Sequence, residues 1–73
     1  MNAETVALAV SRFKLSPDHK LKLVFNGAEY LYDNSVMIEC YNTCITLTSK
    51  LDDEKIHTVY LEYSFIQGVE LIE

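Results

Sequence analysis

The sequence predicts a mainly β domain: one N-terminal helix, then five strongly bent antiparallel strands curled into a small, partly open barrel. Three observations predict it. Apolar residues recur at helical spacing only near the start of the chain, at Val6, Ala9, Val10 and Phe13. From Lys20 onward the apolar period drops to two. No second helix is available to cross over a parallel sheet, so the strands are expected to be antiparallel.

The helix is expected over residues 3–14. Asn2 is suited to its N-cap, because its side-chain oxygen can accept from an exposed backbone N–H. Glu4 falls in the first turn and Arg12 and Lys14 in the last, the distribution the helix dipole favours. Ser16-Pro17-Asp18 ends it.

The barrel is expected over residues 20–73. Leu21, Leu23 and Phe25 alternate with Lys20, Lys22 and Val24, a strand with one wet face. Asn26-Gly27 is the strongest short hairpin signal, since both turn positions must tolerate positive φ. A β-prone stretch runs from Glu29 to Cys40, interrupted by Asp33-Asn34-Ser35. It reads either as one bent strand or as two strands with a second tight turn. Tyr41-Asn42-Thr43 is a turn, Cys44–Lys50 a strand, and Leu51-Asp52-Asp53-Glu54 a polar loop. Lys55–Ser64 is the next strand and Val69–Ile72 the last. No linker, repeat or low-complexity segment divides the chain, so 1–73 is one domain.

Size and charge narrow the function. A chain of 73 residues buries only roughly 60% of its extended surface when it folds alone. Such domains usually gain a disulfide, a metal or a partner subunit. No apolar run is long enough to span a membrane, and "MNAETVALAV" lacks a basic n-region, so a cytoplasmic protein with reduced Cys40 and Cys44 is expected. A metal site joining those cysteines to His19 and His57 is disfavoured, because C-x3-C is not a common zinc spacing. No metal and no cofactor are expected. Enzyme chemistry is not expected either, for the chain has no phosphate loop, paired-carboxylate signature or nucleophile beside a base.

The formal charge of −5 is uneven. Residues 1–26 carry +2 and residues 27–73 carry −7. Arg12, Lys20 and Lys22, with Lys14, therefore form a candidate basic patch for a polyanion. A second candidate is the turn at Tyr41 and Asn42, an aromatic platform and an amide that suit an unstacked base.

Two stretches carry a family resemblance. "KLVFNG" resembles the first strand and turn of the Sm/LSm family, which includes bacterial Hfq. "FIQGVELI" resembles its second motif, with Ile66, Gln67 and Gly68 before the last strand. Looser still is a likeness to phage-type Sm-like proteins. The chain departs from the family pattern in three places, one of them the turn "ECYNTC", which has Asn42 for the family's asparagine but not its aspartate. The chain also has no glycine in the second strand, and Gln67 stands where the family has arginine. The resemblance implies a homo-oligomeric ring in which the fourth strand of one copy pairs with the fifth of the next. The interface would then involve Val59, Leu61 and Tyr63 against Val69 and Leu71. It also implies binding of single-stranded RNA, or DNA, around the ring opening, at Tyr41, Asn42, Gln67 and Gly68. The expected role is nucleic-acid processing or chaperoning. The rival expectation is an acidic protein-interaction module, a phage-type inhibitor or adaptor that occupies a basic site on another protein and binds no nucleic acid.

Overall fold

The computed structural model describes residues 1–50 and 55–73. The expected polar loop at 51–54 lies outside them. Helix α1 spans Ala3–Leu15, one residue beyond the expected end. The side chain of Asn2 accepts from the Thr5 N–H at 2.9 Å and caps it. Val6, Val10 and Phe13 are its buried stripe. At its end the Ser16 N–H donates to the Phe13 carbonyl, and Pro17 follows.

Six strands follow among the described residues: β1 (Lys20–Phe25), β2 (Ala28–Tyr32), β3 (Met37–Cys40), β4 (Cys44–Lys50), β5 (Ile56–Glu62) and β6 (Ile66–Ile72). A single 3₁₀ turn, Tyr63–Phe65, joins β5 to β6. All pairings are antiparallel and form two three-stranded sheets, in the orders β2-β1-β6 and β3-β4-β5. The sheets do not close into a barrel. Each of β2, β3, β5 and β6 has one neighbour and one unpaired edge.

The expectation of five strands therefore gives way to six, and the physical reason lies at Asp33. Its carboxylate accepts from the Ser35 N–H at 3.0 Å and the Ser35 hydroxyl at 2.5 Å. Its carbonyl accepts from the Val36 N–H at 3.2 Å. A side chain that captures its own backbone in this way competes with the sheet ladder. The stretch 28–40 is neither one continuous strand nor a hairpin, since its halves lie in different sheets. Two other boundaries also move. β5 stops at Glu62, so Tyr63 belongs to the 3₁₀ turn. β6 begins at Ile66 rather than Val69, because Ile66 pairs with Phe25 across a bulge that leaves Gln67 unpaired.

The Asn26-Gly27 turn forms as expected, with φ of 54° and 71°. The core lies between the sheets and under α1. It holds the three helix residues, Leu21 and Leu23 of β1, Ile38, Ile45, Leu47 and Leu61 of the second sheet, and Tyr63 and Ile66. Among the described residues no helix is long and apolar enough to cross a membrane.

Candidate nucleic-acid interface

Strand direction places three turns at one end of the molecule: Asn26-Gly27, Tyr41–Thr43 and Tyr63–Phe65. Tyr63 ties the last two together. Its N–H donates to the Thr43 carbonyl at 3.1 Å. Its hydroxyl donates to the Tyr41 carbonyl at 2.7 Å. The ring is buried in the core. Burial raises the pKa of the hydroxyl above its ordinary value, and the nearby Cys40 and Cys44 thiols raise it further. Tyr63 therefore stays a neutral donor at physiological pH. The Met1 ammonium donates to the carbonyls of Tyr63 and Ile66, each at 3.1 Å, and brings the start of α1 to the same end.

This arrangement exposes two aromatic rings on turns that touch. Tyr41 is 57% exposed and Phe65 is 59% exposed. Both carry large apolar faces into water with no partner strand over them. Asn42 is exposed beside Tyr41. Phe65 was not legible in the sequence. The expected strand ends at Ser64, and it is the 3₁₀ turn that leaves Phe65 exposed while Tyr63 is buried.

Gln67 and Gly68 have local structural roles. The Gln67 Oε1 accepts from the Gly27 N–H at 3.1 Å, which ties the first hairpin turn to β6. Gly68 pairs with Val24, and a Cβ added there would stand 3.4 Å from the Val24 Cγ2.

The basic residues do not gather at this end. Arg12 lies in the last turn of α1. Lys20 opens β1 opposite Ile72, at the far end of the first sheet. Lys22 sits mid-strand, with its ammonium 3.0 Å from the Glu70 carboxylate and 3.8 Å from that of Glu29. The hydrogen bond to Glu70 raises its pKa first, and the charges of Glu29 and Glu70 add to that. Two carboxylates thus offset the Lys22 cation that would face a polyanion. Lys14 lies 3.7 Å from Glu39.

The expected assembly residues also separate into side chain and backbone. Leu61 and Tyr63 are buried in their own core, and Val59, Val69 and Leu71 pack half-buried against it. Their side chains hold one chain together. The backbone is a different matter. The two-residue turn makes Phe25 and Ala28 a hydrogen-bonded pair, and alternation then assigns Gly68, Glu70 and Ile72 to the β1 ladder. The N–H and C=O groups of Val69 and Leu71 therefore point to the open edge of β6. The Tyr41 N–H bond to the Cys44 carbonyl sets the same alternation in the second sheet. There the open edge of β5 is formed by Thr58 and Tyr60, not by Val59 and Leu61.

The two thiols flank the Tyr41–Thr43 turn, Cys40 exposed and Cys44 half-buried. His57 stands on β5 opposite Ser49. The His19 Nε2 lies 3.7 Å from Glu73. Among the described residues, no three His, Cys, Asp or Glu side chains converge as a metal site. No protein-family model, curated protein or solved structure matches this chain.

Proposed function

We infer that the chain is a small cytoplasmic Sm-like domain that binds single-stranded RNA, or DNA, on its turn end and assembles as a homo-oligomeric ring. The role would be nucleic-acid processing or chaperoning, without covalent chemistry. One observation carries the binding reading: Tyr41 and Phe65 stand exposed on two turns that Tyr63 bonds together. Aromatic faces held in fixed relation are what unstacked bases stack on. The fold reading is supported by strand order. If β2 and β3 are counted as one bent strand, the order β6-β1-β2/β3-β4-β5 is that of a five-stranded Sm barrel with its seam between β5 and β6. The ring reading is supported by the two open edges at that seam, which suit head-to-tail pairing of β5 with the β6 of a neighbour.

The binding test is fluorescence anisotropy with labelled oligo-U and oligo-A. Tyr41→Ala and Phe65→Ala should each cost roughly 1–3 kcal/mol of affinity, one lost stack apiece. Tyr41→Phe should cost little. The affinity should fall only shallowly with salt, because among the described residues no Lys or Arg stands on these turns. Wild-type affinity in both alanine variants would remove the turn site. A steep salt slope abolished by reversing Arg12 and Lys20 would move binding to the basic residues. The ring test is light scattering coupled to size exclusion. Val69→Pro or Leu71→Pro should dissociate the oligomer while sparing the β1 ladder, since proline removes an edge donor. A wild-type monomer of 8.4 kDa would end the ring reading.

The rival reading, an acidic protein-interaction module, draws on Glu29 and Glu70 closing over Lys22. It predicts no RNA affinity at any salt and retention on a basic protein surface.

A further inference from the structure

A second site lies at the other end of the molecule, where the last turn of α1 faces the start of β3. Phe13 and Lys14 form one wall, and Asn34–Ile38 the other. The cleft between them measures about 290 Å³. That is the lower limit of small-molecule sites, roughly 300–1,000 Å³, so it has room for one or two side chains rather than a cofactor. Its lining is apolar at Phe13, Val36, Met37 and Ile38, with the Lys14 ammonium at the rim. Met37 is 63% exposed and Leu15, just beyond Lys14, is 83% exposed. Apolar residues clustered around a cleft mark a surface for a macromolecule.

The backbone beside the cleft decides what kind. Among the described residues β3 pairs only with β4. The Tyr41 N–H donates to the Cys44 carbonyl at 2.8 Å, so Glu39 and Met37 take the following rungs to Thr46 and Thr48. The N–H and C=O groups of Ile38 and Cys40 then point away from β4, along an open edge. An open edge next to a side-chain pocket, with a helix as the second wall, is the geometry by which an extended peptide adds to a sheet. Main-chain bonds hold the peptide and the pocket selects a side chain.

We propose that the groove between α1 and β3 binds an extended segment of a partner protein, one that places a large apolar residue in the cleft and an adjacent carboxylate on Lys14. The charge follows from the site. Lys14 and Arg12 are the cations of this last helical turn, on a chain that is otherwise strongly acidic. The Lys14–Glu39 pair is long at 3.7 Å, and both side chains are about half exposed, so a ligand carboxylate displaces it at little cost. The site is independent of the turn-end aromatics and stands whether or not those bind RNA.

The experiment uses the full chain, labelled for amide NMR, and a fluorescein heptapeptide alternating glutamate with leucine and valine. Saturable binding below about 1 mM is expected, with slowed exchange of the Ile38 and Cys40 amides and shifts at Val36 and Met37. N-methylation of alternate peptide amides, in whichever register faces β3, should abolish the binding. A control peptide with lysine for glutamate, and the variant Lys14→Glu, should each weaken it at least about tenfold, or 1.4 kcal/mol. Circular dichroism checks that Lys14→Glu is folded. No saturation, binding insensitive to both N-methylated registers, or equal affinity for the lysine peptide overturns the proposal. So does protection of the Ile38 and Cys40 amides that depends on protein concentration without peptide. In that case a second copy occupies the edge.

Discussion

Replacing Tyr63 with Phe asks whether one hydroxyl holds the turn end together. The side chain is only 6% exposed, and Phe keeps its packing. What is lost is the 2.7 Å hydrogen bond to the Tyr41 carbonyl. A hydrogen bond contributes about 0.5–1.5 kcal/mol net. The carbonyl left behind belongs to an exposed turn, where water can take the place of the hydroxyl. The larger penalty for stranding a buried acceptor therefore does not apply, and we expect a loss of about 1 kcal/mol. A domain of 73 residues has roughly 4–11 kcal/mol of stability in all, so the change is easily read. Urea denaturation followed by circular dichroism should show a lower midpoint at unchanged slope. The melting temperature should fall by about 4–8 °C. Tyr63→Ala also removes the ring from the core and should cost about 3–5 kcal/mol. A Tyr63→Phe loss under about 0.5 kcal/mol would refute the role given to the hydroxyl. A loss as large as that of Tyr63→Ala would refute it too, because the acceptor would then be buried rather than wet.

Two other outcomes test the local chemistry of the sheets. Gly27→Ala should destabilise the fold by about 1 kcal/mol in thermal unfolding through the left-handed backbone alone. The φ there is +71° and no atom lies within 4 Å of an added Cβ. Gly27→Asn should be milder, and equal stability of all three proteins would contradict a left-handed turn. For Asp33, the hydrogen bond from the Ser35 hydroxyl lowers the folded pKa below the ordinary 3.8, and the Ser35 N–H lowers it further. A lowered folded value stabilises above the unfolded pKa and loses that stabilisation as pH falls through the folded one. Wild type should therefore exceed Asp33→Asn in stability at neutral pH and converge on it in acid, once the pH has fallen through the lowered folded pKa. A gap that persists in acid would show that charge has no part in the turn.

The elements whose causes are short-range are legible in the chain alone. Asn2 caps α1 because its partner is three residues away. Asn26-Gly27 turns because both residues accept positive φ. Leu21 and Leu23 face inward because the strand period is two. The break at Asp33–Ser35 was visible as polar residues, but not its consequence, since a local turn does not say which sheet each flanking strand joins. Long-range strand pairing sets that, and it sets the surroundings of the candidate residues as well. Lys22 reads as a free cation until β2 and β6 bring Glu29 and Glu70 beside it. Gln67 reads as a base-contacting amide until the Gly27 N–H, 40 residues away, takes its oxygen. Phe65, just past the expected strand end at Ser64, carries no local mark of exposure until the turn between the two sheets leaves it in water. Val59 and Leu61 look like edge residues until the ladder to β4 claims their backbone. In each case the deciding partner lies on another strand. Periodicity reports which face a side chain takes, but not what stands on the far side of that face.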